Sequence, residues 1–545
     1  MAECSVLTVP VDYDDPSLGS IDMAVSVHRA TGAPSDWLGY LLVNPGGPGE
    51  SGIEFAAAGA GGGFTDDVVA RFDIVGFDPR GVGASEPAFT CGDGTAFKAL
   101  SAEIDGVVDT DAEVEAGQEL AALCGQAMGP VGNQLQSANV VRDMDAIRQA
   151  LGVDQVSYYG ASYGSALGVW YATLFPDSVR AMVIDGAANP ITENVDDVEG
   201  ILAELLEQAA GFETQLSLAL QACSDETCPI YNDGDPAGYL QLAADKRDLV
   251  RQASPTGSPD AALLGVITPL YQEARWPELY DALNELVEND NGTPLAGIAA
   301  SQLGEVAGQT IIGHVNCLDS WVLQPDVAAY DPVRAELQAE ANDRLAAELP
   351  LIGAFTTDAA DPCPFLGDLA PETLDQPFDG GDVPIVVVGN TSDPATPYVQ
   401  SEQLAQDVLA NGYLVQADHP NHVVYAFGWN QCVNGHVESM LLDTEPPSER
   451  LVECPREEAP EPTVDEVPEI VAQGCAAYAA DAVPEADPDA VNAACADAVE
   501  PVLDTLGPEL ILALLKGEQP DRLGELFAIY DATFAEAGLG NGLGS

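Results

Sequence analysis

Lysine is nearly absent from this 545-residue chain, occurring only as Lys98, Lys246 and Lys516. Lys and Arg together number 17 against 89 Asp and Glu, a formal net charge of −72. Phosphate contacts need clustered cations, so the scarcity excludes general nucleic-acid binding. It also argues against docking on anionic membranes. Uninterrupted apolar runs of about 18 residues are missing too, so no spanning helix and no membrane insertion is expected. The double C-x-x-C and Cys/His spacings of zinc sites are absent, and no metal is expected. No charged and apolar leader precedes Cys4, which suggests an export segment already trimmed.

Hydrophobic residues make up 46% of the chain, which argues against wholesale disorder. The length corresponds to roughly three to four units of about 150 residues. Eleven cysteines, many in close pairs, read as disulfides formed in an oxidising compartment. The expected location is therefore secreted or cell-surface, and the alternative is a cytosolic enzyme with free thiols. Neighbour pairing gives 91–124, 223–228, 317–363, 432–454 and 475–495, leaving Cys4 alone. The acidity itself reads as a strongly solvated surface, suited to a saline habitat where salt screens self-repulsion.

Strand and helix patterns alternate over the first 190 residues. Residues 5–10 and 21–28 look like an entry hairpin, and 40–43, 72–77, 155–159 and 181–185 like strands. Residues 138–151 carry helical periodicity, and 162–175 form a helix stopped by Pro176. Strand signals return at 384–388 and 413–416 after a long helical, acidic stretch. The pattern predicts an α/β fold: a mostly parallel sheet covered by helices on both faces. Its core would span 1–188 and 381–456, interrupted by a helical cap at 189–380. An acidic helical extension would fill 457–545, with helices near 470–482, 488–506 and 508–534.

The strongest local signal is Gly160-Ala161-Ser162-Tyr163-Gly164, which matches the G-x-S-x-G nucleophile elbow. It follows a strand and opens a helix, and the tight turn needs small neighbours around the serine. A plain glycine-rich packing turn is the bland alternative. A serine hydroxyl needs a base to become nucleophilic. Asp393, just past the strand at 384–388, supplies an acid in the expected chain order. His419 and His422 follow the next strand and both suit the base; spacing does not separate them, and His436 lies in a helix after Cys432. Two backbone donors are needed for an oxyanion hole. One would be Tyr163, and the other would come from the loop Asn44-Pro45-Gly46-Gly47-Pro48-Gly49.

Four segments in order carry a family resemblance. They are Leu42-Val43-Asn44-Pro45-Gly46-Gly47-Pro48-Gly49, residues 72–85 with Asp78-Pro79-Arg80-Gly81, the elbow, and residues 389–397. Together they resemble the secreted tripeptidyl aminopeptidases of the α/β-hydrolase superfamily, relatives of proline iminopeptidases. The resemblance spans most of 4–454 and is thinnest in the insertion. It implies an α/β-hydrolase fold, with Ser162 as nucleophile, Asp393 as acid, His422 rather than His419 as base, and Gly47 as the second oxyanion donor. Asn421, Val423 and Glu50 depart from the usual Gly, Thr and Gly. No cofactor is implied. The substrate would be a peptide with a free N-terminus, its amine met by a carboxylate of the insertion, for which Asp319 is the candidate. The same triad would also serve a carboxylesterase or lipase-like hydrolase, and a catalytically dead binding protein is the reading from another class.

Overall fold

Runs of five or six apolar residues, rich in Val, Ile and Tyr, build the centre of the molecule. In a computed structural model of the chain, the described residues are 2–89, 122–123, 125–190, 198–254, 261–303, 311, 315, 318–319, 344, 347–355, 378–425 and 430–457. Beyond these come 464, 467–468, 470–472, 474–475, 488–515 and 523–537. The chain divides into two compact units, 1–457 and 458–545.

The first unit holds β1 (Ala2–Pro10), β2 (Ser20–His28), β3 (Gly39–Asn44), β4 (Phe72–Phe77), β5 (Val156–Ala161), β6 (Val179–Asp185), β7 (Ile385–Asn390), β8 (Gly412–Ala417) and β9 (Leu451–Cys454). They form one sheet in the order β1-β2-β4-β3-β5-β6-β7-β8-β9. The pairs β1–β2 and β2–β4 are antiparallel and the rest are parallel. The fold is an α/β hydrolase, with the sheet covered on both faces as the strand–helix alternation predicts.

Side chains alternate across a strand, so each buried strand feeds two cores. Leu42, Tyr158, Met182, Ile184, Val387 and Leu414 face the helices Ser137–Leu151 and Tyr163–Leu174. Leu41, Val43, Tyr159, Val183, Val388 and Val415 face the other way, onto Phe55, Val68, Val433 and Met440. The parallel register aligns the carboxyl ends: Asn44 lies opposite Gly160, Ala161 opposite Asp185, and Asn390 opposite Ala417. The turns that leave this edge carry Gly47, Ser162, Asp393 and His422.

Helices of the insertion include Val198–Ala222, Pro236–Ala244, Trp276–Asn289 and Thr293–Leu303. They share their own core around Leu216, Leu240, Leu279, Leu283 and Leu295. Three expected disulfides are present, Cys223–Cys228, Cys432–Cys454 and Cys475–Cys495. Cys4 is exposed and free. The pairings 91–124 and 317–363 fall outside the described residues. No helix among the described residues is long and apolar enough to cross a membrane.

In the second unit, Ala494, Ala498 and Val502 line one side of the helix Pro488–Leu506, packed with Ile511, Tyr530 and Phe534. The single helix expected over 508–534 is two, Pro508–Leu515 and Leu523–Glu536.

Candidate active site

Ser162 directly follows β5 and precedes the helix Tyr163–Leu174. Its backbone sits at φ 55°, ψ −129°, a sparsely populated conformation for a residue with a side chain. The strain persists because the surroundings fix it. Ser162 N donates to Asp185 O at 2.9 Å, and Ser165 N donates to Ser162 O at 2.8 Å. Gly46, at φ 109°, lies against this turn: a Cβ there would fall 2.8 Å from Tyr163 N and 2.9 Å from Ser162 Cβ. Only glycine tolerates both the conformation and the approach. The loop is tied down by Asp78, whose carboxylate accepts from Ser51 Oγ at 2.6 Å and Ala84 N at 2.8 Å. Gly47 follows at φ 103°, exposed beside the elbow.

Asp393 and His422 leave β7 and β8. His422 Nδ1 lies 2.8 and 2.9 Å from the two Asp393 oxygens. Asp393 Oδ1 also accepts from Ala395 N at 2.9 Å and Thr396 N at 2.8 Å, which orients the carboxylate. His422 Nε2 is buried with no hydrogen-bond partner among the described residues. Gly186 joins this pair to the elbow: it follows the Asp185 carbonyl that holds Ser162, and a Cβ on it would fall 3.1 Å from His422 Cε1 and 3.3 Å from Asp393 Oδ2.

Burial disfavours the His422 imidazolium, but the charge and hydrogen bond of Asp393, with Asp185 and Glu50 adding, outweigh it and hold the pKa above 6.5. His419 lies apart from Asp393. Its N–H donates to Asn390 Oδ1 at 3.0 Å, and burial, with Arg456, lowers its pKa. His436 stands beside Cys432 and Cys454 on the helix Gln431–Glu438. His28 ends β2, and His314 lies outside the described residues.

The loop that carries His422 is held by its neighbours. Asn421 Oδ1 accepts from Glu273 N of the insertion at 2.9 Å. His422 N donates to Tyr271 O at 2.8 Å, and the Tyr271 ring meets the imidazole edge-on at 5.3 Å. Gln208 Nε2 donates to Ala395 O at 2.7 Å. The insertion therefore grips both the acid loop and the base loop. Val423 holds φ 65°, which a β-branched residue rarely adopts. Asp185 accepts from Tyr425 N at 2.7 Å, Val424 N at 3.2 Å and Tyr159 Oη at 2.9 Å, which fixes the chain just past His422. Burial pushes the Asp185 carboxyl up to about 6 against those bonds.

Asp319 is placed differently from the rest. Both its oxygens are engaged by Ser137, Oδ1 by the backbone N–H at 2.8 Å and Oδ2 by the hydroxyl at 2.6 Å. These contacts cap the helix Ser137–Leu151 and do not favour the amine-binding role expected of it. Sequence reasoning passed over Asp185, Thr396 and Tyr271. An Asp-x-x-Thr turn after Asp393 was a signal for Thr396, whereas Asp185 and Tyr271 meet His422 only through the tertiary fold.

A serine elbow at the carboxyl edge of this sheet, with a buried Asp–His pair beside it, defines an α/β-hydrolase-fold serine hydrolase. Residues 39–225 match the family described as alpha/beta hydrolase fold, and residues 350–454 match the TAP-like protein family. The chain is 36% identical over 483 residues to the serine protease Hip1 of Mycobacterium tuberculosis, covering 82% of this chain and 86% of that one. It is 34% identical to carboxylesterase B of the same species, over 82% and 85% of the two chains. It is 30% identical to the tripeptidyl aminopeptidase of Streptomyces lividans, over 84% and 85%. The chain belongs to the TAP-like family of α/β hydrolases.

Proposed function

We propose that this serine hydrolase is an exopeptidase that releases short peptides, tripeptides among them, from free N-termini, using Ser162, His422 and Asp393. The observation that carries the reading is the Asp393–His422 pair beside the strained Ser162. His422 takes the Ser162 proton through Nε2 as the serine oxygen attacks the scissile carbonyl. Asp393 fixes the tautomer and supports the imidazolium that forms. The backbone N–H groups of Tyr163 and Gly47 receive the developing oxyanion. His422 then protonates the leaving amine, and water resolves the acyl-enzyme. The relatives named as serine protease and tripeptidyl aminopeptidase support a peptide substrate. The disulfides support a secreted or cell-surface location. The relative named carboxylesterase B favours ester hydrolysis by the same triad as the second reading.

The test is fluorophore release from a tripeptidyl amide with a free N-terminus, beside the N-blocked peptide and a short-chain ester. Turnover of the free peptide alone, with kcat lowered by about 10⁴-fold or more in Ser162→Ala, is the expected result. Turnover of the ester alone gives the reaction to the second reading, and an unaffected Ser162→Ala removes the triad.

A further inference from the structure

Tyr163 is tethered at both ends of its length. Its backbone opens the helix after Ser162, next to Gly46. Its phenolic oxygen lies 2.5 Å from Ser137 Oγ, and that hydroxyl donates to Asp319 Oδ2 at 2.6 Å. Because Ser137 spends its only hydroxyl proton on Asp319, the Tyr163 O–H must be the donor in the first contact. The result is a directed chain: Tyr163 O–H to Ser137 Oγ, Ser137 O–H to Asp319, with Ser137 N–H closing a second bond to the same carboxylate.

Asp319 is the fixed end of that chain. Ile311, Val315 and Leu318, spaced as one helical face, are buried in the main core rather than in the core of the insertion. Ile311 and Leu135 both approach Gly81, in the loop after β4. This part of the insertion is thus packed onto the hydrolase core, next to the start of the Ser137–Leu151 helix. Burial raises the Asp319 carboxyl to about 6, and the two Ser137 bonds work against that rise. At neutral pH it remains mainly a carboxylate and accepts both bonds.

The geometry points to Asp319 as a positioning residue for the oxyanion hole, acting through Ser137 on the Tyr163 ring and so on the Tyr163 backbone N–H. This rests on the proposed role of that N–H. An oxyanion donor works by being held where charge develops, and misplacing it acts on the transition state, not on ground-state binding. Removing such a donor costs about 10²–10³ in kcat, and loosening one costs less, about tenfold.

The experiment is a double-mutant cycle in the full chain on the best substrate: Asp319→Asn, Tyr163→Phe and the pair. Each single change is expected to lower kcat about tenfold with KM unchanged, and the pair is expected to lower it by about tenfold in total, no more than either change alone. A peptide boronic acid, whose adduct places an oxygen in the hole, should lose affinity in step with kcat. Unchanged kcat in folded variants, full multiplication of the two effects, or loss confined to KM would overturn the assignment. If Asp319→Asn does not fold, Tyr163→Phe, which removes one oxygen only, carries the test alone through kcat and boronate affinity. A Ser162→Ala enzyme that stays active removes the nucleophile reading instead. A dead Ser162→Ala beside a fully active Asp319→Asn removes only the positioning role.

Discussion

His422 answers to three carboxylates of unequal standing. Asp393 touches it, Asp185 holds the backbone beyond it, and Glu50 acts on it through space from the loop that carries Gly47. Glu50 is open to solvent yet ringed by protein, and its own carboxyl is raised by desolvation, against the pull of His422. A glycine at this position would bring no charge. As the proposed base, His422 must be neutral to accept the serine proton, so activity is expected to fall as pH drops through the His422 pKa. Glu50→Gln removes a negative charge that favours the imidazolium. The pKa then moves down, and the acid limb of kcat/KM should shift to lower pH with the plateau retained. A pH–rate profile checks this, and a limb that stays in place or moves up would show that Glu50 does not tune the base. Ser162 and Asp393 were legible because each lies in a short turn directly after a recognisable strand. The choice of His422 over His419 was not legible from spacing. Only two residues lie between them, and the packed loop decides which imidazole reaches Asp393.

The strands were the most legible elements, because an apolar run bounded by turn residues has few other uses. β9 was not foreseen: at four residues, Leu-Val-Glu-Cys at the sheet edge, it is too short a run to stand out. The short helices Gly52–Ala58 and Asp66–Arg71 were also missed, being too brief to show a period. Arg80 shows a further limit. Its motif was visible, but not its partner 63 residues away. Its guanidinium is fully buried and forms a fork onto Asp143, at 2.7 Å from Nε and 2.8 Å from Nη2. It also donates to Val11 O at 2.8 Å and Gln134 O at 2.7 Å, and Tyr13 Oη donates to Asp143 at 2.7 Å. One side chain thereby pins the entry hairpin, the loop after β4 and the helix Ser137–Leu151. Arg80→Met leaves a buried carboxylate without its counter-charge and should destabilise the first unit by about 3–5 kcal/mol. Adding Asp143→Leu removes that uncompensated charge and should recover part of the loss. Denaturant unfolding of the two variants decides it: a double variant no more stable than Arg80→Met would place the cost in the carbonyl contacts instead.

At the scale of the whole chain the governing quantity is charge. With 17 cations and 89 acids, one-to-one pairing leaves at least 72 carboxylates without a cationic partner. Individual surface ion pairs contribute little in any case, about 0–1 kcal/mol each. The larger effect is repulsion summed over the acidic surface, which opposes the compact state. Its range is set by salt, since the Debye length falls from about 30 Å at 0.01 M to about 3 Å at 1 M. Sodium chloride over that interval should raise the midpoint of thermal unfolding, by about 1–2 degrees if screening relieves about 1–2 kcal/mol. Burial of apolar surface also responds to salt, so the sign alone does not isolate the electrostatic part. Acidity does. Protonating some of the carboxylates at pH 5 reduces the charge that salt has to screen, whereas the apolar contribution is unchanged. The dependence on salt should therefore be shallower at pH 5 than at pH 8. Equal slopes at the two pH values would assign the salt response to apolar burial, and a midpoint that is flat in chloride would remove self-repulsion as a determinant of stability in this enzyme.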